Sequence, residues 1–119
     1  MSAGTDAIQR LTSAGCQFGV VPADVNGQAM RVYRHAPANM REVFVAIRAF
    51  ADRVYLVYAD ERVTYAQAHT QVAKFAQLLL ARGVQKGDRI SIGMRNYPEW
   101  VIGFRACQSV GAVAVTLNA

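Results

Sequence analysis

From residue 54 to residue 116 the hydrophobic period alternates between that of a strand and that of a helix, and this alternation limits the fold most. Residues 54–59 (Val-Tyr-Leu-Val-Tyr-Ala) are β-branched and aromatic, as strands prefer. Asp60-Glu61 makes a polar turn, and Arg62-Val63-Thr64 returns as a second strand, giving a hairpin. Thr64-Tyr65-Ala66-Gln67 has capping-box spacing, in which hydroxyl and amide satisfy each other's backbone donors. Behind it Tyr65, Ala68, Val72, Phe75, Ala76 and Leu79 form one apolar stripe, and Gly83 supplies the left-handed stop. Lys86-Gly87-Asp88 turns into a strand over 89–94. Asn96 and Glu99 read as the next cap, with Pro98 in the first turn. Trp100, Val101, Phe104 and Cys107 follow at helical spacing, and 112–116 is an apolar strand suited to burial on both faces. Strands separated by helices of this length imply parallel pairing through right-handed crossovers. The fold class is α/β: a partial parallel or mixed sheet with flanking helices.

The first part of the chain is less regular. Residues 5–14 suit a short helix, while Gly15, Gly19, Pro22 and Gly27 leave 15–28 as a loop or arm. Residues 30–35 alternate apolar and basic side chains, the pattern of a half-exposed strand ended by Pro37. Asn39 is placed to cap an amphipathic helix over about 40–52. The expected organisation is therefore an arm over 1–28 and a domain over 29–119.

Composition narrows the function classes. A hydrophobic fraction of 53% with 18% charged residues suits a domain with a core. No apolar run approaches the length of a membrane span, and the N-terminus lacks a basic start followed by an apolar stretch. Cys16 and Cys107 form no CxxC pair, which argues against a disulfide framework or zinc site and fits a cytoplasmic location. The net charge of +5 comes from scattered arginines; Arg31 and Arg34 flanking Tyr33 are the nearest approach to a basic–aromatic cluster, so nucleic-acid binding is not expected.

Scanning for chemistry yields no site. Residues 83–87 carry no GxxxxGK[ST] loop, and they follow a helix rather than precede one, the wrong polarity for holding phosphate. His35 and His69 lie far apart without a ligand signature, and His69 reads as a surface-edge residue of its helix. Asp60-Glu61 reads as a solvated turn, Glu99 as a capping residue, and Trp100 and Cys107 as core.

Five segments nevertheless occur together in a characteristic order: Val63-Thr64-Tyr65-Ala66-Gln67; the alanine- and leucine-rich 71–80; Gly83-Val84-Gln85-Lys86-Gly87-Asp88-Arg89-Ile90; Asn96-Tyr97-Pro98-Glu99-Trp100; and Gly111 through Leu117-Asn118. Over roughly 29–119 this order resembles the N-terminal segment of the adenylate-forming enzymes, and most of all their fatty-acyl-CoA synthetase branch. The resemblance implies a piece of the N-terminal subdomain of that fold. It also implies a parent enzyme that activates a carboxylic acid with ATP and Mg²⁺ and passes the acyl group to coenzyme A.

The family's phosphate loop, acidic ribose and metal residues and mobile lysine lie downstream of the matched region. No residue here corresponds to a catalytic, cofactor-binding or metal-binding position. The expectation is an inactive N-terminal fragment that binds no cofactor itself and, with an unfinished sheet, dimerises or exchanges segments. The competing readings are a stand-alone protein-interaction module and a small nucleotide-binding protein.

Overall fold

A computed structural model describes residues 3–117. Met1, Ser2, Asn118 and Ala119 lie outside the described residues, and with them the last position of the Gly111–Asn118 motif. The chain divides into two compact units, Met1–Ala38 and Asn39–Ala119.

The first unit holds helix α1 (Ala3–Thr12) and an antiparallel hairpin of β1 (Val20–Val25) and β2 (Gln28–Tyr33). The strand β1 corrects the reading of 15–28 as a loop, and the hairpin straddles residue 28. Its cause is local: Asn26 (φ 54) and Gly27 (φ 81) both take the left-handed conformation of a two-residue hairpin turn. Asp24 Oδ1 accepts from the Gly27 amide at 2.9 Å, and Pro22 is tolerated because a two-stranded ribbon consists of edges. None of the buried apolar side chains among the described residues belongs to this unit; Ile8 and Leu11 of α1 are 65% and 54% exposed.

The second unit begins with α2 (Met40–Ala46), capped by Asn39, whose Oδ1 accepts from the Glu42 amide at 3.0 Å. The expected helix over 40–52 is shorter: after Ala46 it tightens into a 3-10 turn, Ile47–Phe50. Tertiary bonds explain the change. Ala51 turns to φ 38 and its carbonyl accepts from Ala66, while the Arg53 carbonyl accepts from Tyr65.

Strands β3 (Val54–Tyr58) and β4 (Glu61–Thr64) form the expected hairpin, its turn one residue earlier than read, at Ala59-Asp60. Thr64 then opens α3 (Tyr65–Ala81) with both capping-box bonds present, Gln67 N–H to Thr64 Oγ1 at 3.2 Å and Thr64 N–H to Gln67 Oε1 at 2.8 Å. Gly83 (φ 84) ends α3, its amide on the Leu80 carbonyl and that of Val84 on the Leu79 carbonyl.

β5 (Arg89–Gly93), α4 (Pro98–Val110) and β6 (Val113–Leu117) complete the chain, and β5 and β6 pair in parallel with Arg89 opposite Val113. The cap of α4 is Tyr97 rather than Asn96. Pro98 dictates this: without an amide and with φ fixed, it occupies the first helical position, so its predecessor is the cap.

Among the described residues the strands form three separate two-stranded sheets. The crossover through α4 is parallel as expected, but β4 and β5, on either side of α3, do not pair. Instead α3 separates them. Its Ala68 and Val72 join Phe44, Val63, Ile102 and Ala106 in one core cluster, against which Tyr55 and Leu56 of β3 pack. The second cluster is Ile92, Cys107 and Ala112, covered by Trp100 and Phe104, which stack at 5.1 Å. Leu79 touches both. Ala68 and Ala106 are fully buried, and Phe75 lies 3.6 Å from where a Cβ on Gly103 would be, so small residues set the approach of α3 to α4. Strand β6 is not buried on both faces: Val113 and Leu117 are about half exposed.

Candidate functional site

The residues singled out by sequence do not converge. His35 and the Asp60-Glu61 corner are exposed, and Cys107 is fully buried, its thiol pushed up in pKa by that burial. The turn over 83–88 keeps its donors for the fold: Gln85 N–H bonds Asp88 Oδ2 at 2.8 Å, Gly87 N–H the Gly111 carbonyl at 2.9 Å, and Asp88 N–H the Gln85 carbonyl at 3.1 Å. Those three amides are already bonded within the fold and are not open to cradle a phosphate. Among the described residues no three His, Cys, Asp or Glu gather as a metal site, and no helix is long and apolar enough to cross a membrane.

The distinctive local chemistry gathers around Phe44. Packing of α2, α3 and α4 in the first core cluster buries this ring to 5% exposure. His69, from α3, stacks on it with centroids 3.9 Å apart and planes 24° from parallel. The Arg105 guanidinium, from α4, lies 5.7 Å from the same ring. His69 is half-buried at the edge of the apolar stripe, and its Nε2 is buried without a hydrogen-bond partner. Burial, and then the charge of Arg48, lower its proton affinity, while a hydrogen bond with the Phe44 backbone acts the other way.

Two clefts meet at this histidine. One, of about 470 Å³, lies against Arg41, Phe44, Arg48, His69, Val72 and Leu80. The other, also about 470 Å³, lies against Arg48, Ala51, Ala66, His69, Thr70 and Ala73. Neither lining contains a carboxylate. Sequence reasoning missed this arrangement because Arg41, Phe44, Arg48 and His69 come from two helical segments whose contact is tertiary; the stripe on α3 showed only that His69 borders the core.

This arrangement of a capped helix, an antiparallel hairpin and a parallel β–α–β crossover matches part of the N-terminal subdomain of an adenylation domain. The N-terminal subdomain of Klebsiella oxytoca NpsA superposes with a TM-score of 0.65 at 31% identity, over 67% of this chain and 21% of that one. The chain belongs to the AMP-binding enzyme family, which matches residues 43–119. It is 39% identical over 69 residues to the medium/long-chain-fatty-acid–CoA ligase FadD6 of Mycobacterium tuberculosis, covering 58% of this chain and 12% of that protein. It is 36% identical over 85 residues to the acetyl-coenzyme A synthetase of Shewanella oneidensis, covering 66% of this chain and 13% of that protein. The chain thus spans about an eighth of the length of these relatives.

Proposed function

We propose that this chain is the N-terminal scaffold of an ATP-dependent carboxylic acid–CoA ligase, of fatty-acid type, and has no activity by itself. A carboxylate oxygen attacks the α-phosphorus of ATP, forming an acyl-adenylate and releasing pyrophosphate. The thiol of coenzyme A then attacks the acyl carbon, forming the thioester, and AMP leaves. In this reading ATP, Mg²⁺, coenzyme A and the acid are held by residues outside this segment. Residues 29–119 are the N-terminal part of the large AMP-binding domain, and 1–28 an arm carrying α1 and β1. The two free thiols agree with a cytoplasmic location.

The observation that carries the reading is the family match over 43–119, supported by the CoA ligases among the relatives. For the fatty-acid branch the support is the likeness to FadD6 together with the 96–100 and 112–119 segments. The test is ATP–pyrophosphate exchange with acetate, octanoate and palmitate. The 119-residue chain is expected to give background rates with all three, and a chain extended with the downstream phosphate loop and lysine to exchange with the longer acids. Exchange by the short chain overturns the scaffold reading, and an extended chain that prefers acetate overturns the fatty-acid assignment.

A further inference from the structure

We propose that the trough along α3 docks an acidic amphipathic helix of a partner protein, its apolar side chains toward Val45 and Leu80 and its carboxylates toward Arg41 and Arg48. The proposal rests on the geometry of this face and is independent of the catalytic reading of the parent.

The two clefts share Arg48, His69 and Ala73, so they are continuous along α3. Ala66, His69, Thr70, Ala73, Ala76 and Leu80 line them at helical spacing, a single face about 21 Å long at 1.5 Å per residue. Alanine and threonine over most of that length let a second backbone approach closely. At its far end Val45 and Leu80 are 50% and 56% exposed, an apolar anchor point for a docked helix.

The electrostatics fix the sign of the occupant. Arg41 and Arg48 line the trough, Arg105 stands over the Phe44 ring beneath it, and no carboxylate is in either lining. His69 lines both clefts, so its imidazole senses an occupant of the trough. Carboxylates on the occupant pair with the two arginine guanidiniums.

A second copy of this chain does not fit. Its net charge is +5, and none of its helices carries more than one acid: Asp6 on α1, Glu42 on α2, none on α3 and Glu99 on α4. A nucleic acid fits poorly, because the two rings there are already used: Phe44 is buried and His69 is stacked on it, leaving no open face for a base.

The experiment uses three synthetic helices of about 18 residues with the same leucine–alanine face, flanked by Glu, Gln or Lys. Each is labelled and titrated against the full chain by fluorescence anisotropy, with the His69 imidazole followed by NMR. The Glu helix is expected to bind at least about tenfold more tightly than the Gln helix at low salt and to move the His69 resonances. In the doubly reversed variant Arg41→Glu/Arg48→Glu the preference is expected to invert toward the Lys helix. Both positions are exposed, so the variant tests charge rather than folding, and circular dichroism verifies that it is folded. Equal binding of the three helices, a preference that survives the reversal, or binding that leaves His69 unmoved overturns the proposal.

Discussion

His69 is a titratable side chain whose free nitrogen the fold has removed from water without a partner. Burial disfavours its charged form, and Arg48 adds repulsion, so its folded pKa lies below the usual 6.5. Arg41 on α2 lines the same cleft and Arg105 on α4 lies over the Phe44 ring on which His69 stacks; both are cations as well. The sign follows from proton binding. As pH falls, the unfolded chain takes up the proton first, so stability is complete above about 6.5 and declines as pH drops from there toward the lowered folded value. Urea midpoints measured between about pH 7.5 and 5.5 are expected to fall, with a shallower decline in His69→Gln. Identical pH slopes for the two proteins would show that the imidazole titrates alike in both states. The slope is the informative quantity, because the substitution also removes a ring stacked on Phe44 and shifts the absolute stability.

At the scale of elements, α3 is the part whose ends are set by chemistry adjacent in sequence. Thr64→Ala removes the hydroxyl that accepts from Gln67 and is expected to cost ~1 kcal/mol in chemical denaturation. Gly83→Val is expected to cost more, roughly 2 kcal/mol. A Cβ at Gly83 meets no atom within 4 Å, so the whole penalty is the strain of a β-branched residue at φ 84. An unchanged midpoint for Gly83→Val would mean that the helix end relaxes without loss. The same locality explains what was legible in the sequence. The caps of α2 and α3, the glycine that ends α4 and the β3–β4 hairpin each depend on residues a few positions apart. Strand β1 was signalled by Asn26-Gly27, but the surrounding Gly15, Gly19 and Pro22 read more strongly as breakers. The choice of sheet partners was not legible, because alternation of period identifies strands without saying which edges meet. The cleft at His69 was hidden for a related reason: its arginines and ring are joined only by the packing of α2, α3 and α4.

At the scale of the whole molecule, every sheet has only two strands, so among the described residues each strand keeps one unpaired edge. β6 is the most exposed to mispairing. It is apolar except for Thr116, pairs among the described residues only with β5, and leaves Val113 49% and Leu117 52% exposed. Charged or proline residues usually guard such an edge, and β6 (Val-Ala-Val-Thr-Leu) has neither. Burying an exposed valine or leucine is worth about 1.5–3 kcal/mol, and pairing two β6 edges also satisfies a row of backbone donors and acceptors. The isolated chain is therefore expected to dimerise, exchange segments or aggregate through β6 at micromolar concentration, despite the mutual repulsion of its net positive charge. Light scattering across a dilution series tests this with wild type and Val113→Lys, which places a charge on the exposed side of the strand without touching a buried residue. Wild type is expected to show concentration-dependent mass and the lysine variant a smaller one. A monodisperse wild-type monomer overturns the prediction, because an apolar edge that stays single in water must be less available than its exposure indicates. Equal association of the two proteins would move the contact elsewhere, and Val57 of β3, 61% exposed on the edge of a two-stranded hairpin, is the next candidate.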